Sequence, residues 1–158
     1  MANTQSMCTS FLGEVLTATH NFGTAPTRGT SAADTFTAAL YLSSATVNAS
    51  TTAYSATNEV SGTNYSAGGV TVTNATPPAS TNSSATAGVG YWTPSASITY
   101  TNVTLTTAFD CVLIYNSTQS NKAVSVHTFG SQTITAGTFT LTMPSNTTST
   151  ALLRLATT

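Results

Sequence analysis

The chain has 158 residues, of which 40% are hydrophobic and only 4% are charged, and its formal net charge is −1 at pH 7. An ordinary soluble domain carries about 25% charged residues, so the surface here must consist chiefly of Thr, Ser, Asn, Ala and Gly. The three basic residues, Arg28, Lys122 and Arg154, are too few and too scattered to neutralise a run of phosphates. We therefore predict that nucleic acid is not a partner.

The length is typical of one domain, and we predict a single β-sandwich domain over residues 1–158. Residues 1–33 are predicted to form a helix followed by a loop or arm, because a helix-like period precedes a stretch rich in Gly, Pro and Ser. The first ten residues lack a positive charge ahead of an apolar run, and no stretch approaches the ~18 apolar residues of a membrane span. We expect no secretory signal and no membrane partner, and synthesis in a cytoplasm.

The sequence FLGEVLTATHNF predicts the helix. Its apolar residues recur near one face at a spacing of about 3.6 residues. They are Phe11, Leu12, Val15, Leu16 and Phe22. Such a face packs either on the core of its own domain or on a partner, and both interpretations stay open here.

From residue 36 onward the hydrophobic period is two, which predicts β-strands. The first run is FTAALYL at 36–42, and the later runs lie at 70–74, 97–105, 109–116, 123–129, 137–143 and 152–156. Each run is bounded by Gly, Pro, Asn or Ser, and the polar segment at 116–122 predicts a hairpin loop. We therefore predict an all-β fold, an antiparallel β-sandwich of immunoglobulin-like or jelly-roll-like type with one short N-terminal helix.

Two polar segments interrupt these strands. TPPASTNSSATAGVG, at 76–90, predicts a long exposed loop. NEVSGTNYSAGG, at 58–69, supplies turn formers and two adjacent glycines that can adopt positive φ before the strand at 70–74. Glu59 lies in this second segment with no other acid, His or Lys beside it. We interpret it as a hydrogen-bond acceptor in a turn or an interface, not as a catalytic group.

Reactive side chains are few: two histidines, two cysteines and four acids. The sequence contains no H-x-x-x-H, C-x-x-C or H-x-x-E spacing for a metal and no G-x-S-x-G around a nucleophilic serine. The four acids lie on separate predicted elements, so paired carboxylates for glycoside chemistry are not indicated. We predict no catalytic residue, no cofactor and no metal, and hence that the protein is not an enzyme.

Three other residues have simple structural interpretations. Cys111, inside FDCVLIY, is interpreted as a small buried hydrophobic residue. Asp110 is interpreted as an acid at a strand end that pairs with Lys122 across the hairpin. Trp92 is the only tryptophan and follows Tyr91. Two interpretations stay open: the aromatic pair lies on an exposed loop and binds a sugar or a partner protein, or the tryptophan is buried in the core of the sandwich.

Four segments resemble a family of small virion structural proteins of tailed bacteriophages. They are FLGEVLTATHNF, FTAALYLSSAT at 36–46, TTAYSATNEVSGTNYSAGG at 51–69 and VLIYNSTQSNKAVSVHTFGSQTITAGTFTLTMP at 112–144. The resemblance covers most of the chain except residues 76–108. It implies a component of a phage particle and transfers no catalytic residue.

The resemblance favours a capsid decoration, or cement, protein that binds the outer surface of the major capsid protein shell and stabilises it. The protein would then be made in the host cytoplasm and be located on the capsid surface of the virion. The near-zero net charge favours association between copies, so we also expect a homo-oligomer, a trimer or a dimer. The alternative is a tail or fibre component that takes part in recognition of the host surface.

The residues expected at the interface with the shell belong to three groups. The first is the apolar N-terminal set, the second is the loop that contains Glu59 and Tyr65, and the third is the aromatic pair. The full set is Phe11, Leu12, Val15, Leu16, Glu59, Tyr65, Tyr91 and Trp92. Core packing remains the competing explanation for the apolar members.

Overall fold

The computed structural model describes residues 2–16, 18–22, 33–81 and 88–156. The loop or arm expected after the helix therefore lies largely outside the described residues. The centre of the long loop predicted at 76–90 also lies outside them, and the parts on either side contain short strands, at Ala79–Ser80 and from Val89 onward. The elements in chain order are β1 (Ser6–Met7), α1 (Thr9–Leu16), β2 (Phe36–Leu42), β3 (Val70–Val72), β4 (Ala79–Ser80), β5 (Val89–Trp92), β6 (Ile98–Asn116), β7 (Lys122–Leu141) and β8 (Leu153–Ala156).

The strands form two antiparallel sheets that pack against each other. The larger sheet has the order β1-β7-β6-β2-β3, and the smaller has the order β4-β5-β8. The prediction of an all-β antiparallel sandwich with one short N-terminal helix is confirmed. That helix, α1, is the only one in the described ranges, and it is too short to cross a membrane.

The β6–β7 hairpin dominates the larger sheet. Its strands are 19 and 20 residues long, and they pair from Asn116 with Lys122 at the turn to Ile98 with Leu141 at the far end. The sequence predicted two shorter strands on each side. The chain instead stays in the sheet through several register shifts, and Asn102 and Ala136 adopt positive φ values of 52° and 47° there. Bulges therefore replace the breaks expected at 106–108 and 130–136, and a further irregularity at Asn102 lies inside the strand predicted at 97–105.

The helix is shorter than its hydrophobic period predicts. It ends at Leu16, and Ala18 has a left-handed φ of 55°. The backbone N–H of Thr19 then donates to the carbonyl of Glu14 at 2.9 Å, which closes the helix end. The prediction that Phe22 belongs to the helix is wrong: its ring lies beyond the helix and stacks on Phe36, with ring centroids 4.3 Å apart.

The core lies on the central strands of the larger sheet. Its largest fully buried side chains include Phe36, Leu40, Tyr100, Leu105, Phe109, Leu113 and Ile114. Cys111 is fully buried among them, which confirms its interpretation as a small hydrophobic residue. Burial raises the pKa of the Cys111 thiol to about 12, so it stays protonated and unreactive.

Candidate functional site

Four of the predicted interface residues meet around one apolar cleft, although they are far apart in the sequence. Phe11 and Val15 come from α1, and Tyr91 and Trp92 come from β5. The cleft has a volume of 220 Å³. A cavity of about 150 Å³ already admits benzene, so this cleft has room for an aromatic or a branched aliphatic side chain. We call it the α1–β5 cleft.

Aromatic rings form the floor of the α1–β5 cleft. The Phe22 ring lies between its neighbours, with centroids 4.7 Å from Trp92 and 5.9 Å from Phe11. The indole N–H of Trp92 donates to the carbonyl of Thr76 at 3.0 Å, so the one polar atom of this buried side chain is satisfied. Trp92 therefore belongs to the core and lies in a strand, while Tyr91 beside it is half-buried.

The α1–β5 cleft has an exposed leucine on its wall. Leu155 of β8 lines it and is 39% exposed. Leu12, on α1 next to Phe11, is 47% exposed. These two are the exposed large hydrophobic side chains in the described ranges. Phe11 itself is buried and Val15 is half-buried, whereas the side chain of Leu16 lies outside the described residues.

A buried polar network supports the cleft from one side. The His20 ring is fully buried, its Nε2 is 2.8 Å from Glu14 Oε2, and its Nδ1 is 3.0 Å from the Asn116 amide nitrogen. That same amide donates to Asp34 Oδ2 at 2.7 Å. A neutral His20 that donates from Nε2 and accepts at Nδ1 satisfies every one of these contacts. His20 therefore holds α1 against the larger sheet and has no nitrogen left for chemistry.

Glu14 is an ionised member of this network. Burial acts to raise the pKa of Glu14, but hydrogen bonds from Lys122 and His20 outweigh it and hold that pKa below its usual value. Lys122 Nζ donates to Glu14 Oε1 at 2.7 Å. The predicted pair between Asp110 and Lys122 is therefore wrong, because Asp110 lies six residues, about 20 Å, from the turn along β6. Asp110 instead accepts a hydrogen bond from Asn3 at 2.6 Å.

Glu59 and Tyr65 lie in a different region, where their polar atoms are satisfied within the chain. Glu59 Oε2 accepts from the Tyr54 hydroxyl at 2.6 Å, and Oε1 accepts from the Tyr65 hydroxyl at 2.7 Å and from the backbone N–H of Gly68 at 2.8 Å. The Tyr115 hydroxyl donates to the carbonyl of Gly68 at 2.9 Å. We call this region the Glu59–tyrosine cluster, and in it Glu59 is the acceptor that closes the turn.

The phenols of the cluster are held in their protonated form. Burial, together with the hydrogen bond to Glu59, raises the pKa of Tyr65 and of Tyr54 above the usual range. Burial raises the pKa of the neighbouring Tyr41 to about 12. The Tyr65 hydroxyl also accepts from the backbone N–H of Leu40 at 3.0 Å, which ties the loop to β2. The cluster is thus a clamp that fixes the loop on the sheet.

The two glycines at the end of this loop adopt positive φ, as the sequence suggested. Gly68 has φ 91° and Gly69 has φ 84°. A Cβ on Gly69 would overlap the carbonyl of Ala38 in β2. Gly69 is therefore required both for its backbone conformation and for the close approach of the loop to the strand.

A serine and a histidine also lie within hydrogen-bond distance on β7. Ser125 Oγ is 2.9 Å from His127 Nε2, and the two residues share one face of the strand because they are two apart. Burial lowers the pKa of His127 to about 4, which makes it a weak base for activating a hydroxyl. In the ranges that the structure describes, no carboxylate contacts the histidine ring, so the third group of a nucleophilic triad is missing there.

Among the described residues, no group of three or more His, Cys, Asp or Glu side chains is arranged to hold a metal ion. Comparison with protein-family models, with curated proteins and with solved structures finds no match to this chain. The α1–β5 cleft is the candidate functional site, because it leaves apolar surface open to a partner. In the Glu59–tyrosine cluster, by contrast, the carboxylate oxygens already have donors within the chain.

Proposed function

We propose that the protein is a bacteriophage virion structural protein, a capsid decoration (cement) protein that binds the outer surface of the major capsid protein shell and stabilises it. The observation that carries the proposal is the α1–β5 cleft, with Leu155 exposed on its wall. The resemblance of four segments to virion structural proteins of tailed phages supplies the class of partner. The proposed occupant of the cleft is one aliphatic or aromatic side chain of the major capsid protein.

The cleft has the properties of an anchor pocket. Interface energy is concentrated in a few side chains that fill well-packed apolar pockets. Full burial of one Leu or Phe side chain contributes roughly 1.5 to 3 kcal/mol. The aromatic floor of Phe11, Phe22 and Trp92 is fixed by ring contacts and by the indole hydrogen bond, so binding requires little reorganisation.

The low charge of the chain suits a subunit that is present in many copies on one particle. Seven charged residues and a net charge of −1 leave little repulsion between neighbouring copies. Two of the charged side chains, Glu14 and Lys122, pair with each other inside the chain. Modest affinity at each site then suffices, because a subunit that spans neighbouring capsid proteins gains from multivalency.

The proposal is tested by adding the purified chain to empty shells of the phage that encodes it. We expect co-sedimentation with the shells and a rise in the temperature at which the shells dissociate. Leu155→Ser should weaken shell binding about tenfold, the loss of roughly 1.4 kcal/mol expected for a truncated anchor contact. Leu12→Ser is the matched comparison, because it makes the same change at a similarly exposed leucine that does not line the cleft.

Two outcomes would contradict the proposal at different levels. Failure of the wild-type chain to bind shells, with a copy number in purified particles far below that of the major capsid protein, would favour the tail or fibre alternative. Shell binding that is equally strong for wild type and Leu155→Ser would retain the decoration function but exclude the α1–β5 cleft as the docking site.

A further inference from the structure

The outer edge of β7 beyond Val126 is a second surface of the molecule, and no strand in the described ranges covers it. β1 and the residue after it cover the start of this edge: Ser6 and Met7 pair with Val126 and Ser125, and the backbone N–H of Cys8 donates to the carbonyl of Val124 at 3.0 Å. Beyond Val126, no strand in the described ranges pairs with β7 on the side away from β6. An edge strand leaves every second backbone N–H and C=O free, which makes it a template for another strand.

The last part of this edge, Gly137–Leu141, is the most regular. Phe139, Thr140 and Leu141 pair with consecutive residues of β6 without a register shift. Positive φ at Ala136 marks a bulge on one side, and Pro144 follows shortly after on the other. These boundaries define a short, extended segment of fixed length, with Thr138 and Thr140 exposed.

The other strand edges in the described ranges are protected in the usual ways. β3, at the opposite edge of the larger sheet, is three residues long, and β4 is two. β8 carries Arg154, and a charged side chain discourages edge pairing. By contrast, the sequence has no Lys, Arg, Asp or Glu from residue 123 to residue 153. The edge of β7 therefore lacks a charge that would keep another strand away.

We infer that the Gly137–Leu141 edge pairs antiparallel with the same segment of a second copy of this chain, which gives a two-fold symmetric dimer. With the two-fold axis at Phe139, each Thr138 lies opposite Thr140 of the other copy. A Thr–Thr pair of this kind already exists across β6 and β7, where the hydroxyl oxygens of Thr99 and Thr140 are 3.4 Å apart.

A second copy is the occupant that the charge and symmetry of the edge favour. An uncharged segment can meet itself without repulsion, and a two-fold contact uses the same patch on both subunits. Five paired residues give about five hydrogen bonds, at the low end of the 10 ± 5 of typical interfaces. The dimer is therefore weak and forms at micromolar concentrations. The segment shares no residue with the α1–β5 cleft, so this inference does not depend on shell binding.

Sedimentation of the full chain over a range of micromolar concentrations tests the inference. Wild type should shift with concentration from 16.1 kDa towards twice that mass. The double variant Thr138→Lys with Thr140→Lys places like charges opposite each other across the two-fold axis and should weaken the dimer at least about tenfold. Circular dichroism and thermal unfolding verify that the variant is folded.

The matched control is Thr99→Lys with Thr101→Lys, which adds the same charge to exposed residues one strand further in. Equivalent β6 strands would be about 14 Å apart across the dimer, beyond the screening length of about 10 Å at 0.1 M salt. This control should dimerise like wild type. If instead both double variants lose the dimer, general charge and not the edge is responsible, and the inference fails.

Amide hydrogen exchange gives a second measurement on unmodified protein. Amides in Gly137–Leu141 should become better protected as protein concentration rises, while those of Val70–Val72 should not change. A wild-type chain that stays monomeric at high micromolar concentration overturns the inference. So does a dimer that Leu155→Ser disrupts and the edge variant does not. Protection of this edge only on shells would assign it to the capsid protein instead of a second copy.

Discussion

The Glu59–tyrosine cluster and the α1–β5 cleft both contain residues that the sequence placed at an interface, but only the cluster has its contacts completed within the chain. Each carboxylate oxygen of Glu59 has a donor from the same loop. The cleft, by contrast, leaves 220 Å³ of apolar-lined space and a leucine on its wall that is 39% exposed. The first region is self-sufficient, and the second offers surface that a partner can bury.

The difference shows which physical quantity separates a structural site from a docking site. A buried polar group without a partner costs roughly 1 to 3 kcal/mol, so a satisfied polar cluster has little to gain from a binding partner. An apolar surface gains about 25 cal/mol for each Å² that a partner removes from water. Substitutions in the cluster should therefore affect folding, and substitutions on the cleft wall should affect binding.

The largest expected effect is that of Gly69→Ala in the loop of the cluster. The new Cβ would overlap the carbonyl of Ala38, and alanine is strained at φ 84°. We expect a loss of about 4 kcal/mol or more in the free energy of unfolding, measured by denaturant titration. Gly68→Ala is the matched control, because its φ is similar but its Cβ would lie 3.1 Å from the Tyr115 hydroxyl, and about 1 to 2 kcal/mol is expected. Equal losses in the two variants would show that the positive φ, and not the overlap with Ala38, determines the loss of stability.

Alkaline pH should destabilise the protein through the buried phenols of the Glu59–tyrosine cluster and of the neighbouring Tyr41. Burial raises the pKa of Tyr41 to about 12, from 10 in the unfolded chain. The folded state thus favours the neutral phenol, so its stabilisation is complete below pH 10 and is lost as the pH rises from 10 towards 12. Tyr41 alone should account for roughly 2 kcal/mol, measured as the free energy of unfolding against pH.

Two controls sharpen the pH experiment. Tyr41→Phe should flatten the decline in stability above pH 10, because it removes one buried phenol. Phenolate absorbance of the wild type should appear together with unfolding for the buried tyrosines. Complete ionisation of all six tyrosines near pH 10, with the chain still folded, would contradict the assignment of these hydroxyls to a buried cluster.

The sequence indicates the turn of the cluster better than it indicates the cleft, because the residues that form the turn are close together in the chain. Tyr54, Glu59 and Tyr65 lie within twelve consecutive residues, and the two adjacent glycines that follow indicate the positive φ that the turn needs. The strand Phe36–Leu42 was likewise predicted to the residue, since alternating apolar positions end at a pair of serines. The break expected between the strands at 123–129 and 137–143 is a bulge near Ala136, whereas the irregularity at Asn102 falls inside the strand predicted at 97–105 and was not foreseen.

The cleft depends on contacts between distant parts of the chain. Phe11 and Tyr91 were proposed as interface residues from separate patterns, but nothing local indicates that they meet. Leu155 was missed altogether, although it joins them at the cleft through the pairing of β5 with β8. The register of Gly90 with Leu155 becomes visible only in the folded sheet. The hydrophobic patterns of the sequence thus identified apolar residues, but the pairing of the strands determines which of these residues line the same cleft.

Substitution of the two exposed leucines should change the free energy of unfolding least. It therefore separates a binding role of the cleft from a structural one most directly. Leu12→Ser and Leu155→Ser should each alter the free energy of unfolding by less than about 1 kcal/mol, because much of each side chain already contacts water. Denaturant titration of both variants measures this beside the shell-binding assay. Leu155→Ser should combine near-native stability with weakened shell binding, whereas Gly69→Ala should lose binding only in proportion to the fraction unfolded. A loss of several kcal/mol in Leu155→Ser would place that leucine in the core and make the cleft wall a structural element like the cluster.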